Sequence, residues 1–175
     1  MLRLAAIATL AIGVALAALT VRALAHVGVH QGYGPAQPIA FSHRLHAGES
    51  RIPCLYCHYA AARSQHAGIP AASVCMNCHS MLTRQTVEIE KLRESVLQRR
   101  PIRWIKVHNL PDFVHFDHSQ HVRASVRCQT CHGAVEEMAR VTQQATLTMG
   151  FCLSCHDARG VGDHGERTDC ARCHY

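Results

Sequence analysis

CLYCH, residues 54–58, raises the question that decides the fold: whether such a stretch clips a metal, forms a redox disulfide or attaches a haem. The same skeleton returns as CMNCH (75–79), CQTCH (128–132), CLSCH (152–156) and CARCH (170–174). The chain holds ten cysteines, and the five motifs use them all: Cys54, Cys57, Cys75, Cys78, Cys128, Cys131, Cys152, Cys155, Cys170 and Cys173.

Four chemistries compete for C-x-x-C-H. A four-thiolate zinc site pairs C-x-x-C units, which five units do awkwardly, and leaves the trailing histidine without a role. A thioredoxin-like centre needs one motif near a βαβ pattern, and no such pattern is visible. Iron–sulfur ligation does not require the histidine. Covalent haem c uses all three residues: two thiols add across the porphyrin vinyl groups, and the adjacent imidazole reaches the iron from one side. The reading is therefore five covalent haems c, with His58, His79, His132, His156 and His174 as proximal iron ligands.

Composition agrees with that choice. Aromatic residues make up 5 % of the 175, too few for an ordinary core, whereas five flat macrocycles would supply buried apolar mass. The expected fold is a multihaem cytochrome c, with loops and short α-helices wrapped around the haems. The formal charge is +6. Ten propionates, roughly −10, set against roughly +5 from five ferric centres would bring the assembled protein near neutrality. No basic run interleaved with aromatics suggests nucleic acid as a partner.

The N-terminus is a targeting or anchoring element. Arg3 provides a positive start, and residues 4–21 are an uncharged, mostly apolar run. As a helix, 18 residues extend roughly 27 Å against a hydrocarbon core of about 30 Å, and Arg22 can snorkel to the headgroups. Ala23-Leu24-Ala25 also resembles a signal-peptidase site. Both readings export the remainder. The expected domains are an anchor at 1–25, a linker at 26–37 and a haem domain at 38–175.

Ten further histidines lie outside the motifs, and two pairs stand out because the chain says nearly the same thing twice. FSHRLH precedes the first motif and FDHSQH the third, each an F-x-H-x-x-H. The second histidine lies eight residues before Cys54 in one copy and seven before Cys128 in the other. Histidines at i and i+3 share a helical face. They are too close to serve one haem from both sides, but can ligate two neighbouring haems. His43, His46, His118 and His121 are the expected distal ligands of four haems. For the fifth, Met149, His108, His66 and His164 all remain candidates, as does an open coordination position.

The organisation is then a two-haem unit at 38–80, a connecting helix at 81–100 with Leu82, Ile89, Leu92 and Val96 on one face, and a second unit with a terminal haem at 101–175. Trp104, the single tryptophan, is read as packing against a haem face.

The repeated F-x-H-x-x-H before haem motifs resembles the cytochrome c3/c7 class of multihaem proteins, which implies a c3/c7-like fold, and longer phrases resemble a narrower family. FSHRLHAG, AGIPAASVCMNCH, WIKVHNLPDFVHFDHSQHV, CHGAVEEM and LTMGFCLSCH are similar, in order and spacing, to the pentahaem cytochrome c subunits of alternative complex III. The resemblance covers nearly all of residues 38–175 and extends to the N-terminal helix. It implies a bacterial cytoplasmic-membrane location with the haem domain on the periplasmic side. It also implies a complex that oxidises quinol, respiratory or photosynthetic, and passes electrons to a periplasmic acceptor. The partners it implies are an iron–sulfur protein related to molybdopterin oxidoreductases, membrane proteins of the polysulfide-reductase type and a monohaem cytochrome c. It supports the five proximal histidines and both pairs, and makes His108 and Met149 more credible as ligands.

Three functions compete on this sequence. The leading one is a relay subunit without substrate chemistry of its own. A multihaem reductase of the nitrite or hydroxylamine type would need an open haem face and often an altered motif, whereas all five motifs here end in His. A free membrane-anchored carrier serving another quinol or molybdenum oxidoreductase is the third.

Overall fold

The computed structural model describes residues 2–25, 27–83, 85–161 and 170–174, which fall into two compact units, 1–30 and 31–175. The first is dominated by helix α1, Leu2–Ala25. Those of its apolar side chains that are described are exposed; Leu10 is 70 % and Val21 66 % accessible. Thr9 and Thr20 donate their hydroxyls back to carbonyls three or four residues earlier, so they present no unpaired polar group. Residues 5–24 are long and apolar enough to cross a membrane, which fits an anchor and a signal sequence alike.

The second unit is built of short helical pieces: α2 (Cys54–Cys57), α3 (Ala72–His79), α4 (Val87–Leu97), α5 (His118–Arg123), α6 (Gln129–His132) and α7 (Met149–Ala158). A π-helical turn, Arg44–Glu49, and 3₁₀ turns at Tyr59–Ala62, Val135–Glu137 and Cys170–Arg172 complete it. The strand content among the described residues is one antiparallel bridge, Val114 to His174. This is the loop-and-short-helix architecture expected of a chain folding around large rigid groups.

Helix α4 shows how local chemistry sets its limits. Thr86 caps it by accepting from the Ile89 amide, Glu88 and Glu90 lie in the first turn, and Glu88–Lys91 and Glu90–Arg93 bridge successive turns. It ends where Arg99 takes φ 52°. The expected connecting helix, 81–100, is thus shorter, and Leu82 lies outside it; Leu92 is the side chain its apolar face buries.

Part of the expected linker is bound to the haem-motif unit. Gly32 and Tyr33 exchange main-chain hydrogen bonds with Gln143, and the Gln37 side chain brackets Ile105, donating to its carbonyl and accepting from its amide. Among the described residues only Ala61 and Leu92 are buried hydrophobics. A polypeptide of this size with two buried apolar side chains cannot hold itself together by its own hydrophobic burial. Large apolar groups joined to it would supply what its side chains do not.

Candidate haem centres

Each proximal histidine of the first four motifs faces one histidine of the F-x-H-x-x-H pairs. His43 and His58 lie parallel, 6.4 Å between ring centres and 5° between planes; His118 and His132 repeat this at 6.4 Å and 9°. His46 and His79 are 6.0 Å apart at 49°, and His121 and His156 6.1 Å at 37°. An iron held between two imidazole nitrogens lines up two bonds of roughly 2 Å and two ring radii of roughly 1.1 Å, a separation of roughly 6 Å. All four pairs have that spacing. Residues 43–58, 46–79, 118–132 and 121–156 are thereby matched, a pairing that sequence spacing alone left open.

Hydrogen bonds fix which nitrogen each ring offers. His58 Nδ1 lies 2.7 Å from the Gly68 carbonyl, His46 Nδ1 2.9 Å from that of Ser42, His118 Nδ1 2.8 Å from that of Gln65 and His121 Nδ1 2.8 Å from that of Asp117. A carbonyl only accepts, so Nδ1 carries the proton and Nε2 keeps its lone pair for a metal. Nδ1 of His43 and of His79 are buried without a partner. Burial, then the neighbouring His58 and His46, holds His43 down to about pKa 4; burial, then His108 and His118, does the same to His132. Neutral imidazoles are the form that binds iron.

Phe41 and Phe116 separate the two rings of each pair. Phe41 meets His43 edge-on (4.9 Å, 86°) and lies flatter on His46 (4.3 Å, 28°); Phe116 treats His118 (4.8 Å, 88°) and His121 (4.5 Å, 30°) alike. The phenylalanine of the motif is thus the wedge that splays its histidines.

The ten thiols are all free. Burial is the largest influence on Cys57, Cys75, Cys128, Cys131 and Cys152 and pushes each thiol up, away from the thiolate that zinc binding or disulfide exchange requires. Among the described residues no three His, Cys, Asp or Glu converge on a common metal position. The zinc alternative thus lacks a ligand set there, whereas pairwise imidazoles with flanking thiols fit haem c.

The thiols also raise one another: Cys57 acts on Cys75, Cys54 on Cys128, Cys155 on Cys131 and Cys173 on Cys152, so each of these pairs lies close together. Direct contacts agree: Asn77 donates to Tyr56 Oη (3.1 Å), and the His118 amide donates to the Gln65 carbonyl (3.2 Å). The motifs therefore form a row in the order second, first, third, fourth, fifth.

His174, in the fifth motif, has a different setting. The His115 amide donates to the Cys173 carbonyl, and the Phe113 ring lies 5.7 Å from His174. Among the described residues no second imidazole stands at pair spacing from it. Met149 opens α7, is 62 % exposed and shares a face with Cys152, whose neighbour is Cys173. His108 is elsewhere: its Nε2 lies 3.2 Å from His132 Nδ1, with the rings 4.3 Å apart and nearly perpendicular. Its Nε2 thus faces a histidine of the third motif and not of the fifth. His66 sits in an exposed turn, and His164 lies outside the described residues.

Comparison with known proteins points the same way. Residues 114–175 match the family of cytochrome c7 and related cytochromes c. Over 160 residues, 79 % of this chain and 76 % of the relative, the chain is 27 % identical to the multihaem cytochrome c subunit of menaquinone reductase from Nitratidesulfovibrio vulgaris strain Hildenborough. The chain is thus similar to multihaem cytochromes c, proteins of covalent haem and electron transfer, over most of its length.

Proposed function

We propose that this chain is a membrane-anchored electron-relay subunit carrying five haems c within a quinol-oxidising complex similar to alternative complex III. The observation that carries the reading is the set of four imidazole pairs, each separated by 6.0–6.4 Å, along one row of motifs. Covalently held haem c supplies one-electron redox chemistry along that row. The chain's own residues do the rest. Ten cysteines would attach the haems, the five motif histidines would ligate them, and His43, His46, His118 and His121 would supply a second ligand at four sites. Met149 would supply one at the fifth, with His174; methionine there would favour a higher potential than two histidines. No residue is assigned substrate chemistry, and quinol is oxidised by other subunits: an iron–sulfur protein of the molybdopterin-oxidoreductase type and polysulfide-reductase-like membrane proteins. A monohaem cytochrome c or another periplasmic protein accepts the electrons.

The relative's name favours a second reading, in which the same row delivers electrons to menaquinone. Purification from membranes in mild detergent tests both. A complex whose haems are reduced by added quinol, with five haems on this chain by mass, supports the first. Haems that quinol leaves oxidised, but that menaquinone reoxidises after chemical reduction with dithionite, support the second. Carbon monoxide should not bind the native chain and should bind one haem after Met149→Ala; binding to the native chain would refute the closed relay.

A further inference from the structure

We propose that His108 is a positioning residue for the third haem site, accepting a hydrogen bond from His132 and so strengthening His132 as an iron ligand. The inference rests on the haem reading above. If His132 offers Nε2 to iron, its Nδ1 must carry the proton, and that N–H donates to His108 Nε2 at 3.2 Å. His108 then holds its own proton on Nδ1. At His46, His58, His118 and His121 the corresponding acceptor is a main-chain carbonyl. An imidazole nitrogen is the more basic acceptor. It draws the Nδ1 proton further from His132, places more negative charge on the ring and stabilises the ferric iron, which lowers the potential.

The acceptor is held in place by an arrangement whose cost needs a reason. Gln143 has no exposed surface, the one large side chain so enclosed among the described residues. Its Oε1 accepts from the Asn109 amide (3.4 Å), directly after His108, and its Nε2 donates to the Ala145 carbonyl (3.0 Å). Three residues before His108, Gln37 brackets Ile105 through both main-chain groups. The segment is therefore pinned on both sides of the histidine. A glutamine buried in so thin a structure is costly unless satisfied; here its satisfaction holds the main chain directly after His108. The site so tuned is the middle one of the row, where a lower potential makes a step that electrons must climb in either direction.

The test uses the full haem-loaded chain. His108→Phe keeps the ring volume and removes the acceptor; His108→Gln returns an acceptor oxygen. One of the five midpoints should rise in His108→Phe by about tenfold in its reduction equilibrium, roughly 59 mV for one electron. The other four should hold, and His108→Gln should largely restore the fifth. Unchanged midpoints with five haems by mass, or equal shifts in both variants, overturn the proposal while leaving the haem reading intact. A mass short of five haems in the native chain would instead remove the haem reading. Should neither variant take up haem, nitrogen-15 NMR of the reduced native protein decides. Scalar coupling across His132 Nδ1–H to His108 Nε2 is expected, and its absence overturns the proposal.

Discussion

The segment around His43 and His46 and the segment around His118 and His121 place their rings almost identically, yet the backbone beneath differs. Ring separations are 6.4 and 6.0 Å in the first and 6.4 and 6.1 Å in the second. The first pair, however, rides on a π-helical turn, Arg44–Glu49, and the second on an ordinary α-helix, α5. The cause is visible in the sequence: eight residues separate His46 from Cys54, but only seven separate His121 from Cys128. A π turn absorbs one additional residue without moving what precedes it. Ser50 donates to the Leu45 carbonyl, Ile52 to that of His46, and Val126 to that of His121, and a left-handed residue, Arg51 or Ser125, stands directly before Ile52 or Val126. Gly48 is needed in the longer copy because the Glu136 carbonyl packs where its Cβ would stand. Metal-ligand spacing is thus repeated, and the local winding of the helix is the adjustable part.

The largest disturbance comes from removing attachment. Cys54→Ser with Cys57→Ser should lose one haem by mass, as should Cys152→Ser with Cys155→Ser. The first loss should lower the yield of folded, coloured protein more. Cys54 adjoins Cys128 across the two halves, and the turn Tyr59–Ala62 packs on α5, so that site joins both regions. Equal yields would show that the halves fold independently. A smaller effect is expected from making the copies alike. Inserting alanine between Val122 and Arg123 should convert α5 to a π turn while all five haems remain low-spin and six-coordinate, read from the visible spectrum. Appearance of a high-spin haem would show that α5 cannot absorb what the first copy absorbs.

These regions also mark how far the sequence could be read. The CxxCH units and the F-x-H-x-x-H pairs are local patterns, so the short-helix architecture was legible from spacing, as were the histidines whose rings the structure brings face to face. The pairings were not, because they depend on contacts such as His118 with the Gln65 carbonyl, 53 residues away. Nor did any pattern mark Gln143, whose burial follows from Tyr33, Asn109 and Ala145 converging on it. His108 stood out as a candidate ligand, but no sequence pattern shows its contact with His132, 24 residues away. The expectation of a linker at 26–37 came from its Gly and Pro content, which reports local freedom and not the hydrogen bonds residues 32–37 find with distant segments.

The smallest expected effect separates the copies by acid. Ahead of α5, Asp117 accepts from the amide and hydroxyl of Ser119, both at 2.7 Å; ahead of the π turn, Ser42 Oγ accepts from the Leu45 amide at 3.2 Å. The Ser119 hydroxyl, then the helix amides, hold the Asp117 carboxyl below its usual range. A group with a depressed folded pKa adds stability that is fully present above the ordinary carboxylate value and is lost as pH falls through the lowered one. Ser42 does not titrate over that range. Denaturation of the haem-loaded protein should therefore show Asp117→Asn slightly less stable than the native chain near neutrality, the difference closing in acid, where the native carboxyl is also neutral. Ser42→Ala should carry a small loss that does not change with pH. If the Asp117→Asn difference persists unchanged into acid, the α5 cap works through geometry alone, and the second copy differs from the first in its winding but not in its electrostatics.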